Sequence, residues 1–136
     1  MVLETLSHSK RFSGIHRGLC KTEYMNAMGY VGAIISIIAG CLGLIWPKQV
    51  SRTIGLQIPG RLGQSEVRAT YGGLFIGAGL AVTLIASSDA ALVLGAAWAG
   101  AFIARAMSFV LDTSRTKENV AGLVIEGVMA ALLILA

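Results

Sequence analysis

The sequence predicts an all-α protein: an integral membrane bundle of four transmembrane helices, with a short interfacial helix after the first span. Three observations carry this. Of 136 residues, 55% are hydrophobic and 13% charged, roughly half the charge of an ordinary soluble domain, and mean hydropathy is +0.74. Four apolar runs, at 26–46, 67–86, 90–111 and 120–136, reach the roughly 17 to 25 residues that cross a bilayer. None of them carries the polar stripe that a helix of a soluble bundle turns to water. The length suits one domain, so the chain divides into a basic tail, 1–25, and a transmembrane domain, 26–136.

The tail lacks the compact apolar core and small-residue cleavage site of a signal peptide. Phe12, Ile15 and Leu19 share a helical face, with Lys10, Arg11, Arg17 and Lys21 around them. That pattern fits an interfacial helix or a frayed basic tail equally. In the first span, Tyr24, Tyr30 and Trp46 sit near the ends, where amphipathic rings favour the membrane interface. Pro47 follows at once and suits the first turn of a new helix. Val50 and Ile54 are one turn apart, and Gly55 can end that helix, so 47–55 reads as the interfacial element. Ser65 is a candidate N-cap for the second span and Asp89 for the third. Ser87, Ser88 and Asp89 leave only a tight turn between these spans, which makes them an antiparallel hairpin. The polar stretch 112–119 forms the last turn.

Charge sets the function classes. The net charge of +4 does not point to nucleic acid, because the basic residues flank apolar runs, where they reflect topology and anionic lipid. Lys48, Arg52, Arg61, Arg115 and Lys117 lie opposite the tail's Lys10, Arg11, Arg17 and Lys21. That near-balance does not decide orientation. Cys20 and Cys41 make no disulfide framework and read as structural. No span holds His or Lys, which argues against bis-His haem and a retinal Schiff base. His8 and His16 have no partner cysteines for a metal. HExxH, CxxC, GxSxG and a phosphate loop are all lacking. No catalytic residue, cofactor or metal site is therefore assigned.

Small residues recur every fourth position: Gly32, Ser36 and Gly40 in the first span; Ala69, Gly73, Gly77 and Ala81 in the second; Ala96, Gly100, Ala104 and Ser108 in the third. In lipid such faces drive helix association by close backbone approach. They serve packing inside the bundle or a contact with another chain.

Intramembrane charges are costly, about 2.5 to 3.5 kcal/mol each near the centre of a span. Arg105 lies about 10 Å inside the end of its span. Glu126 reaches a similar depth in the next, antiparallel one, so the two can pair. Ser108 and Asp112 follow Arg105 on one face, and Asn119 and Gly122 share a face with Glu126. Glu66, Arg68 and Tyr71 open the second span on the same side of the membrane. Glu66, Arg68, Tyr71, Arg105, Ser108, Asp112 and Glu126 thus form a candidate polar cluster in one leaflet. It is either a register-setting salt-bridge network or a pocket for a lipid head group, small ligand or ion.

The run Glu66-Val-Arg68-Ala-Thr-Tyr71-Gly72-Gly73, after Pro47…Ile54-Gly55-Leu56, joins Arg105-Ala-Met-Ser108-Phe-Val-Leu-Asp112 and then Glu126. Over about residues 26–136 the chain resembles a bacterial family of small four-helix membrane proteins known only as a domain of unknown function. That family usually has Gly before the second Arg, where Ala104 stands here. The resemblance implies the four-helix fold and the polar cluster as a family feature. The expected location is multi-pass in a membrane, the bacterial inner membrane. It implies no activity. The first functional expectation is a non-enzymatic accessory or scaffolding subunit of a membrane complex or homo-oligomer, with lipids and other subunits or itself as partners. The second is a small transporter, channel or lipid- or ligand-binding protein built on the polar cluster. An enzyme acting on a membrane lipid ranks last.

Overall fold

A computed structural model describes residues 24–136, so the tail reading for 1–23 lies outside the described residues. Five helices follow one another: α1 (Ala27–Ile45), α2 (Pro47–Thr53), α3 (Gly60–Ile85), α4 (Ser88–Leu111) and α5 (Lys117–Ile134). Among the described residues there is no strand beyond one isolated bridge between Tyr24 and Ser87. Three helices, α1, α3 and α4, are long and apolar enough to cross a membrane. Their outer faces carry large exposed apolar side chains, among them Ile38, Leu84, Val93 and Val110, a surface suited to lipid.

Each helix starts at a capping side chain or at a proline. Asn26 caps α1 by accepting from the N–H groups of Met28 (2.9 Å) and Gly29 (3.3 Å). Trp46 ends α1 and precedes α2, which begins on Pro47, a position with no amide hydrogen to lose. Gly55, at φ +73°, closes α2 in the left-handed region. Ala86 does the same for α3 at φ +54°.

Three boundaries depart from the sequence reading. Ser65 is no cap: α3 begins at Gly60, after extended Pro59, because nothing in Arg61-Leu62-Gly63-Gln64 breaks a helix and the span extends past its apolar part. The α4 cap is Ser87, whose Oγ accepts from Ala90 N–H at 3.2 Å. Asp89 sits inside the first turn instead, where its charge favours the helix dipole. Thr116 caps α5 one turn before the apolar run, with Glu118 in that first turn.

The helices run alternately up and down. Met25 N–H reaches Ala86 O at 3.2 Å, and Asn26 Nδ2 donates to Leu135 O at 2.8 Å. The start of α1 thus meets the ends of α3 and α5. The bundle is two close pairs, α1 with α3 and α4 with α5. Buried Gly32, Ser36, Gly40 and Gly43 line α1's inner face. A Cβ on Gly40 would lie 2.9 Å from Gly72 O, and one on Gly43 would collide with Tyr71 O, so the α1 and α3 backbones touch. Gly32 instead seats Leu133 of α5. Around them Ala33, Val82, Leu94, Trp98, Met129 and Leu133 form the core.

The turn Arg68–Gly73 of α3 is π-wound. Its extra residue shifts the phase of the helix, so the inward line passes through Gly72 and Gly79. Gly73 and Gly77 face outward, and so does Gly100 on α4. A Cβ on Gly77 or Gly100 would meet nothing within 4 Å, so these positions take no part in packing among the described residues.

This separates two glycines that look alike in sequence. A Cβ on Gly79 would lie 2.7 Å from Ile37 Cγ1 and 2.8 Å from Ala33 O. Gly79→Ala is expected to lower stability in mild detergent by about 1–3 kcal/mol. Gly77→Ala should leave it unchanged or raise it by up to about 1 kcal/mol. Equal unfolding curves for the two variants would contradict this packing.

Candidate functional site

The site grows from the way α3 and α4 part. They are joined at Ala86 and Ser87, yet they touch far less than either close pair. About three turns from that junction Phe75 stacks on Trp98, with ring centroids 5.0 Å apart and planes at 20°. Trp98 is held from behind: its Nε1–H donates to Ser36 Oγ at 3.2 Å, and that hydroxyl donates to Gly32 O at 3.0 Å. Beyond the stack, toward the end where α3 begins and α4 stops, the helices leave a cleft of about 570 Å³. Its walls are Thr70, Tyr71 and Leu74 of α3 and Ala101, Ala104, Arg105 and Ser108 of α4. Gly122, Ile125 and Glu126 of α5 extend the second wall. Ala39 of α1 also lines it, and Val50 and Ile54 of α2 reach in from the end. The short helix α2 thus turns its apolar face to the cleft.

The polar part is one ion pair and its neighbours. Arg105 donates from Nε to Glu126 Oε2 at 2.8 Å and from Nη2 to Oε1 at 2.7 Å, a bidentate bridge. Its Nη1 donates to Asn119 Oδ1 at 2.8 Å, and Asn119 Nδ2 in turn donates to Ser114 O at 2.7 Å. The guanidinium lies against Gly122, where a Cβ would come within 2.7 Å of Cζ. The Glu126 side chain is 9% exposed and that of Arg105 28%. The carboxylate is therefore enclosed, while the guanidinium edge looks into the cleft. Three of its five N–H groups are used, which leaves two for another acceptor.

Of the seven residues of the sequence-predicted cluster, Tyr71, Arg105, Ser108 and Glu126 line this cleft. Ser108 Oγ donates back to Ala104 O at 3.3 Å. The other three stand apart. Arg68 turns to α1 and donates from Nε to Leu44 O at 3.2 Å. The π turn places it one step round from Tyr71. Glu66 is exposed beside a second hollow, lined by Ile58, Pro59 and Tyr71. Asp112 is exposed at the end of α4, beyond the cleft. The cluster is thus an ion pair with one amide partner rather than a network of five charges. The sequence reading did not single out Trp98 or Phe75. Their spacings hold the signal: Trp98 is seven residues before Arg105, and Phe75 is four after Tyr71, so each shares a face with a cluster member. Among the described residues no group of three or more His, Cys, Asp or Glu gathers as a metal site would require.

Removing one partner of an enclosed pair strands the other's charge, which costs about 3 kcal/mol or more. Glu126→Leu is expected to lose about that much. The double variant Arg105→Met/Glu126→Leu should recover most of it. Thermal unfolding in detergent measures both, and an additive double variant would mean that the two residues act separately.

No curated protein and no solved structure matches the chain. Residues 25–136, the whole of the helical domain, match the family described as Domain of unknown function (DUF4345), and the chain belongs to that family.

Proposed function

We propose that the protein is a multi-pass membrane protein with four spans that binds an amphiphilic ligand from the surrounding lipid in the cleft between α3 and α4. The observation that carries this is the cleft itself: about 570 Å³, mostly apolar, with a paired guanidinium in its wall. Sites for small molecules have this size and make-up. The fourth span in this reading is α5. Its 18 residues reach about 27 Å, close to the thickness of the hydrocarbon core. Pairing with Arg105 lowers the cost of placing Glu126 there. The bilayer is the bacterial inner membrane, and the role is binding rather than catalysis: Ser108 Oγ donates to Ala104 O and the Glu126 carboxylate is held by Arg105, so neither is arranged as an activated nucleophile or its base. Nucleic acid is not a partner in this reading.

A second reading, an accessory or scaffolding subunit or a homo-oligomer, draws support from Gly73, Gly77 and Gly100. These present small outward faces that no described residue covers, and such faces suit helices of another subunit.

Native mass spectrometry of protein extracted in mild detergent with its lipids retained separates the two. The expected result is one amphiphile per chain, lost in Ala104→Leu, which fills the cleft. A defined multimer or a bound partner protein, with no amphiphile, would favour the subunit reading instead.

A further inference from the structure

The chemistry of the cleft wall narrows the class of ligand, taking the binding role above as its basis. Among the described residues that line it, the charged ones are Arg105 and Glu126, and they neutralise each other. An anionic head group would approach a guanidinium already compensated and a carboxylate that repels it. A cationic one would have to displace Arg105 from Glu126. Either brings a net charge into a low-dielectric site, which is unfavourable. What the wall offers instead is hydrogen-bond donors. Arg105 has two unused N–H groups, and the hydroxyls of Tyr71 and Thr70 make no hydrogen bond to another described residue. Donors that carry no uncompensated charge suit carbonyl or ether oxygens.

The floor adds shape. Tyr71, Phe75 and Trp98 follow one another, Tyr71 to Phe75 at 6.2 Å and Phe75 to Trp98 at 5.0 Å between centroids. The ring edges of such a series can meet the face of a flat ring, edge to face. The side walls, Leu74, Ala101 and Ile125, are apolar and exposed outward, so a tail can leave toward lipid.

We propose that the cleft takes the neutral, planar, carbonyl-bearing head of a quinone-type lipid, with its oxygens on Arg105 and Tyr71 and its ring against Phe75 and Trp98. The chain has two tryptophans, and Trp46 does not line the cleft. In a Trp46→Phe background, Trp98 is therefore the sole indole and reports on the floor directly.

The test is titration of this variant, in phosphatidylcholine nanodiscs, with a decyl-substituted benzoquinone. Saturable quenching of Trp98 is expected. Ala104→Leu should abolish the saturable part, with helix content by circular dichroism confirming its fold. Tyr71→Phe, which keeps the ring and removes one donor, should weaken binding about fivefold. Dioctanoylglycerol and phosphatidylglycerol should fail to displace the quinone. Displacement by dioctanoylglycerol at equal concentration would overturn the planar head and leave the cleft as a site for neutral lipid. Displacement by phosphatidylglycerol would overturn the neutral head in the same way. Linear quenching that Ala104→Leu does not change would overturn the quinone. If native mass spectrometry also found no amphiphile, the binding role would fall with it.

Discussion

The structure depends on how close α3 comes to α1. Gly40 and Gly43 face Gly72 and the Tyr71 carbonyl with no side chain between them. In lipid no hydrophobic force gathers helices, so such backbone contact is a main source of cohesion. It draws α3 onto α1 along its length. On the other side, α4 is drawn onto α5, where Gly95 meets Ile134 and Gly122 meets Arg105. A helix held tightly to one neighbour is not free to follow another. The two pairs close on each other at the end where Met25, Ala86 and Leu135 meet, and they stay apart at the other. The cleft follows from which glycines face which helix.

The π turn belongs to the same arrangement. It lies at Arg68–Gly73, where α3 both touches α1 through Gly72 and turns Tyr71 toward the cleft. A regular helix places consecutive residues about 100° apart, which makes it hard to present a glycine to one neighbour and an aromatic ring to another from adjacent positions while Arg68 reaches back to Leu44. The wider turn re-spaces these three side chains. Single π turns of this kind occur often at functional sites.

Much of this was legible in the sequence, and the rest was hidden for definite reasons. The pairing of Arg105 with Glu126 can be read because a short turn joins two antiparallel helices and equal distances from it give equal height. Pro47 marks the start of α2 because only a first turn tolerates it well. The choice among glycines could not be read. The four-residue rule points to Gly73 and Gly77, and it assumes an unbroken phase that the π turn removes. The cap of α4 was ambiguous because Ser87, Ser88 and Asp89 all cap well. The bond from Trp98 to Ser36 spans 62 residues and leaves no local trace. In the cluster, sidedness was legible and contact was not: Glu66, Arg68 and Asp112 lie toward the same end as Arg105, but facing direction depends on the neighbours each helix acquires.

A register-setting ion pair and a ligand-facing one are usually set against each other, yet here the geometry separates the two tasks by atom. Nε and Nη2 of Arg105 close the bridge that aligns α4 with α5, while Nη1 holds Asn119 at the start of α5. Glu126 lies behind them, enclosed. What reaches the cleft is the remaining edge of the guanidinium, rigidly placed because its other edge is in use. A donor fixed in this way loses little freedom when an acceptor arrives. A free arginine in the same cleft would attract any anion from the membrane surface, and its long side chain would have to be ordered by each ligand in turn. Neutralising it with Glu126 turns a source of charge attraction into a directional hydrogen-bond donor. The bridge that fixes the helices is thus also what lets the cleft select by shape and hydrogen bonding rather than by charge.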